Sequence, residues 1–161
     1  MADLNPNVLP YAEQLRVRVC GICIEDNKLL LVRHGKTVDN EAFWAPPGGG
    51  LQFGESMRAC LVRELQEEAG VQVQVKRFLF VNEFLHPPLH AIEFFFEVQL
   101  TDGTIITGTD PEAASDKQLI EQVEWLTIKQ IQQLPLQDKH QALRHLFSLD
   151  DLLGMKHTFK A

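Results

Sequence analysis

The sequence predicts an α/β fold in which a mixed β-sheet lies between helices. Strand-like segments stand on both sides of one stretch with helix signals at both ends, and a further helical pattern lies near the C-terminus. No internal repeat or long Ser/Gly linker divides the 161 residues, and 45% of them are hydrophobic, enough for a sizeable core. The expectation is a single domain over 1–161, with its core at about 15–148 and short terminal extensions.

Leu15 to Glu25 and Lys28 to Arg33 read as two strands joined by a hairpin turn at Asp26-Asn27. A loop to Gly54 follows. Ser56 can cap a helix that runs to Ala69: its interior lacks Pro and Gly, and Gly70 supplies a left-handed exit. Val71 to Val81 is the next strand, with Phe78 and Phe80 on one side. Asn82 to His90 leads into a further strand, Ala91 to Leu100. Its Phe94-Phe95-Phe96 run is read as core packing in preference to a base-stacking platform.

Asp102-Gly103 marks a turn, Thr104 to Gln118 a polar excursion, and Gln122 to Leu126 a short strand. Thr127 with Gln130, and Asp138 with Gln141, each resemble a capping box. The second precedes an apolar pattern at Leu143, Leu146 and Phe147. The chain is expected to close with a short helix and then a longer one.

A formal charge of −7 and a pI near 5.3 argue against an extended nucleic-acid surface or attachment to an anionic membrane, while leaving a small anionic nucleotide compatible. The N-terminus lacks a basic segment followed by an apolar run, and no apolar stretch has membrane-spanning length. A soluble, cytoplasmic protein is the default expectation. Cys20 and Cys23 form a CxxC within a strand, where an offset of three sends side chains to opposite faces. Packed, reduced thiols are therefore expected, with neither zinc nor a disulfide.

The densest chemistry lies in the 56–69 helix. Glu64, Glu67 and Glu68 share one helical face, and three ionised carboxylates so close repel one another unless a cation lies between them. Their hard oxygen ligands suit Mg²⁺, with Mn²⁺ as a substitute. Leu61, Leu65 and Ala69 form a separate apolar stripe, so the helix can dock on a core while its acids look into a cleft. Gly48, Gly49 and Gly50 just upstream allow close backbone approach to a ligand.

Gly49, Glu55, Arg63, Glu64, apolar Leu65, Glu67, Glu68, Gly70 and apolar Val71 together resemble the Nudix box at every defining position, and the approach Trp44-Ala45-Pro46-Pro47-Gly48-Gly49 is also similar to that family. The resemblance implies a Nudix-type α/β/α sandwich. It implies metal ligation by the Gly48 carbonyl, Glu64 and Glu68, with Glu67 assisting directly or through water. Arg63 looks like an orienting residue paired with a box glutamate, Glu55. The general base differs among such enzymes, and the candidates are Glu55, Glu67, Asp110, Glu112, Asp116 and Glu121. A homodimer is compatible with the family.

The reaction implied is Mg²⁺-dependent hydrolysis of a phosphoanhydride by a Nudix-type pyrophosphohydrolase acting on a small nucleotide. The leading expectation is a nucleoside diphosphate linked to another group, ADP-ribose or a nucleotide sugar. The alternatives are a nucleoside triphosphate pyrophosphohydrolase that removes modified nucleotides, and a non-catalytic nucleotide-sensing or interaction module. Arg33, His34 and Lys36 follow the second strand and could guide a phosphate. Phe84 and Pro87 are the other substrate-binding candidates. Pro87 follows Val71 at a spacing reminiscent of ADP-ribose-cleaving members. His86 and His90 have no zinc-ligand set around them.

Overall fold

The computed structural model describes residues 6, 8–35, 42–108 and 120–159. Its strands are β1 (Leu15–Ile22), β2 (Ile24–Glu25), β3 (Lys28–His34), β4 (Phe43–Ala45), β5 (Gly48–Gly50), β6 (Gln72–His86), β7 (Leu89–Asp102) and β8 (Ile120–Thr127), with helices α1 (Met57–Ala69) and α2 (Ile128–Gln133). One sheet is mixed, in the order β5-β1-β7-β6: β1 and β7 are parallel and the other pairs antiparallel. The second sheet is antiparallel, with β8 on one edge of β3 and β2 and β4 on the other.

Strand alternation divides the core into two layers. Val19, Leu30, Val32, Phe96 and Val98 pack with Leu61 and Leu65 of α1. Cys20, Ile22, Leu29, Leu31 and Phe95 pack with Ile131 of α2 and the C-terminal residues Leu143, Leu149 and Leu152. The expected sandwich is therefore present, and the phenylalanine run is core on both faces. Cys20 and Cys23 fall in different layers, and all three cysteines are buried and free.

Several boundaries differ from expectation. The first strand breaks at Cys23: β1 joins the mixed sheet, while the short β2 forms the hairpin with β3. Asp26 and Asn27 do make its turn, both with positive φ (48° and 59°), the backbone a two-residue hairpin loop requires. The stretch expected as a loop before Gly54 contains β4 and β5. Asn82 to His90 is mostly strand as well, with Pro87 and Pro88 at the tip of the long β6–β7 hairpin.

The longer C-terminal helix is absent. α2 has its capping box at Thr127, but the following segment consists of 3-10 turns at Leu136–Asp138, Gln141–Leu143 and Leu149–Leu153. Tertiary contacts override the local signal at Asp138. Lys139 is extended, bridges Trp44 in strand fashion and donates through Nζ to the Ile131 carbonyl at 2.8 Å, and His140 points inward to Glu93. Thr158 bonds Val81 and Glu83, adding a rung to the β6 edge.

Candidate active site

Helix α1 begins where the Ser56 hydroxyl accepts the Ala59 N–H at 3.1 Å and ends at Gly70, whose φ of 69° is the left-handed exit. It packs on β5, the strand made of Gly48, Gly49 and Gly50. A Cβ at position 49 would collide with the Glu64 carboxylate, so glycine there is a condition of the approach. The Gly48 N–H donates to Glu68 Oε2 at 2.9 Å.

The two helix faces are less separate than the sequence implied. Glu64 and Glu68 are only 8% and 6% exposed, buried beside the apolar stripe, because a strand without side chains leaves room for their carboxylates. Glu67 stands further out, at the helix rim.

Arg63 holds this group together. Its Nε and Nη2 donate to the two oxygens of Glu55 at 2.8 and 3.0 Å, a bidentate clamp, while Nη1 donates to Glu64 at 2.8 Å and Glu67 at 3.1 Å. The Arg63–Glu55 contact expected from sequence is present. Its hydrogen bonds hold the Glu55 carboxyl below the usual range. Glu64 moves the other way: burial pushes it up, Glu67 adds to the rise, and Arg63 offsets only part of it.

Hard oxygen donors at Gly48, Glu64, Glu67 and Glu68 match a divalent cation in chemistry. Among the described residues, however, no three His, Cys, Asp or Glu side chains converge as a ready metal cage. The oxygens are instead engaged by Arg63 and by the Gly48 N–H.

The other sequence candidates are distributed unevenly. Arg33 is committed to Glu121 across β3 and β8, at 2.6 Å. His34 lies within the field of Arg18: desolvation, then the Arg18 charge, push its imidazole down to about 4, so it is neutral at pH 7. Phe84 stacks on His140 with ring centroids 6.3 Å apart. Pro87 lies at the exposed hairpin tip, beyond the level at which β7 pairs with the start of β1. Lys36, Asp110, Glu112 and Asp116 fall outside the described residues.

A polar cluster in the second layer was not anticipated. Glu93 Oε2 accepts from Asn82 Nδ2 at 2.9 Å and from His140 Nε2 at 2.7 Å; all three residues are buried. His140 Nδ1 accepts the Ala142 N–H, which places the ring proton on Nε2, facing Glu93. Burial pushes Glu93 up, but His140, Arg18 and Asn82 outweigh it and hold the carboxyl below its usual range. Arg18 lies between this cluster and the glycine strand, its Nη2 3.3 Å from the Gly48 carbonyl. The available signal was charge within two largely apolar strands, Arg18 in β1 and Glu93 in β7, but Arg16 and Glu97 in the same strands carry it too.

The far end of α1 is also tied down. The N–H groups of Ile106 and Gly108 donate to the carbonyls of Ala69 and Glu68, at 2.9 and 2.8 Å.

The NUDIX domain model matches residues 14–149, and the chain belongs to the Nudix family. Among curated relatives, an ADP-ribose pyrophosphatase of Methanocaldococcus jannaschii is 34% identical over 100 residues, covering 61% of this chain and 59% of that protein. YjhB of Bacillus subtilis, named provisionally for the same activity, is 31% identical over 102 residues, 60% of this chain and 47% of its own length. The chain thus matches only about half the length of these relatives. The crystal structure of a UDP-X diphosphatase superposes with a TM-score of 0.62 at 24% identity, covering 89% of this chain and 67% of that one, a likeness of fold. No helix among the described residues is long and apolar enough to cross a membrane.

Proposed function

We propose that the chain acts as one Nudix domain that hydrolyses the phosphoanhydride of a nucleoside diphosphate linked to a second group, with ADP-ribose or a nucleotide sugar as substrate and Mg²⁺ as cofactor. The observation that carries this reading is the buried Glu64 and Glu68 pair against Gly48 and Gly49, with Glu64 under-compensated by its neighbours. Added positive charge there relieves a cost that the protein leaves standing. The names of the relatives above support the choice of a diphosphate-linked substrate.

Glu64, Glu68 and the Gly48 carbonyl would hold the cation, with Glu67 at the rim. When bound, a divalent ion supplies neutralisation of the diphosphate charge and a lowered pKa for water. Water adds to one phosphorus, the bridging P–O bond breaks, its electron pair departs with the other phosphate, and a carboxylate takes the water proton. Glu55 is a weak choice for that base, because Arg63 depresses its basicity. Its role is to anchor Arg63, which spaces Glu64 and Glu67. The triphosphate reading lacks a specific observation of its own.

The test is product analysis across ADP-ribose, nucleotide sugars, dinucleoside polyphosphates and ordinary or oxidised nucleoside triphosphates, with Mg²⁺ and beside Glu68→Gln. AMP with ribose phosphate from ADP-ribose is the expected result, and Glu68→Gln should lose at least about 100-fold in turnover while remaining folded. Near-normal turnover by the folded variant would remove Glu68 from the ligand set. Release of pyrophosphate from triphosphates alone would replace the substrate assignment.

A further inference from the structure

Arg18 extends from β1 between Gly50 of β5 and Glu93 of β7, its neighbours in register. Its guanidinium lies beside Cys20 and Glu93, placed by the fold but with one N–H left unpaired. Nη2 makes a long 3.3 Å bond to the Gly48 carbonyl, and Nε is 3.7 Å from Glu93 Oε1, close enough for charge attraction but too far for a hydrogen bond. Among the described residues, Arg18 Nε is the one buried side-chain nitrogen or oxygen without a hydrogen-bond partner.

A purely structural arginine would neutralise Glu93 and complete its bonds. Glu93, however, already receives Asn82 and His140 on its other oxygen, and both contacts are shorter than the one to Arg18. The guanidinium is therefore oriented without being consumed, and a quarter of the side chain remains exposed. A fork of N–H donors held in this way suits a phosphate oxygen. Its location fits as well: Gly48 turns its N–H to Glu68 and its carbonyl to Arg18, so the acid site and the arginine flank one residue.

We propose that Arg18 is a substrate-contacting residue that receives a non-bridging oxygen of the substrate diphosphate, on the side away from the helix acids. The Glu93, His140 and Asn82 cluster is its positioning support. This rests on the phosphoanhydride reading above and identifies the cation that would share the diphosphate charge from the side opposite α1.

The experiment is calorimetric titration of the full chain with inorganic pyrophosphate in Mg²⁺, for the wild type, Arg18→Gln and Arg18→Lys, beside Mn²⁺ binding without pyrophosphate. Expected are a loss of pyrophosphate affinity of at least about tenfold in Arg18→Gln, a smaller loss in Arg18→Lys, and Mn²⁺ affinity within about twofold of wild type. If Arg18→Gln does not fold, Arg18→Lys decides, because it keeps a positive charge beside Glu93 but loses the planar fork. Wild-type pyrophosphate affinity in a folded variant overturns the proposal. So does an equal loss of Mn²⁺ affinity, which would assign Arg18 to propping the Gly48 carbonyl. Pyrophosphate binding through Arg18 without turnover of any phosphoanhydride would leave this inference standing and remove the proposed activity; full activity in Arg18→Gln would do the reverse.

Discussion

Glu64 in α1 and Glu93 in β7 are both buried carboxylates near an arginine, yet their acidities move in opposite directions. Glu93 has an imidazole N–H and an amide donating to one oxygen and the Arg18 charge beside the other. Glu64 shares one guanidinium with Glu55 and Glu67, and the charge of Glu67 adds to its rise. The first charge is satisfied by the protein itself. The second is left short of positive charge, which a folded chain tolerates where a ligand completes the balance.

The largest effect is expected from His140→Ala. Removing one partner of a buried, bonded carboxylate should cost about 3–5 kcal/mol, measured as a fall in urea midpoint. A loss below about 1 kcal/mol would mean that Glu93 is not held by the cluster.

A smaller effect is expected from added cation. At about 100 times its Kd, Mg²⁺ should stabilise the wild type by about 2.7 kcal/mol and leave Glu64→Gln nearly unmoved. Equal stabilisation of both would place the cation elsewhere.

The pH dependences should carry opposite signs. The Glu93 carboxyl is depressed on folding, so its contribution is complete above its ordinary value of 4.5 and disappears as pH falls through the lower folded value. Glu64 is raised, so the stability it contributes is complete below 4.5 and is lost as pH rises through its folded value. Denaturation midpoints of Glu93→Gln and Glu64→Gln against wild type, across this range without added metal, should diverge accordingly. In metal-free neutral buffer Glu64→Gln should change stability by no more than about 1 kcal/mol, because relief of repulsion offsets the lost Arg63 bond.

These two regions also differed in how far the sequence exposed them. Every determinant of α1 is local: the Ser56 cap, the spacing of its acids and apolar residues, and Gly70. Its boundaries were accordingly readable, as was the Arg63–Glu55 contact. The Glu93 cluster draws on β1, β6, β7 and a C-terminal turn, and only folding brings Arg18, Asn82, Glu93 and His140 together. The same distance along the chain explains the C-terminal error. Asp138 carries a local helix signal, but the contacts of Lys139 with Trp44 and of His140 with Glu93 are tertiary, and they prevail.

The last turn of α1 has a consequence for building variants. Gly108 is fastened through its N–H to the Glu68 carbonyl, and a Cβ at that position would meet the carbonyls of Glu67 and Glu68. The chain that follows β7 is therefore pinned, at Gly108, to the same helix turn that bears Glu68. A segment from another member of the family, grafted from residue 109 onward to rejoin β8 at Ile120, would inherit that anchorage without disturbing it, which makes Gly108 a natural seam for exchanging whatever lies beyond it.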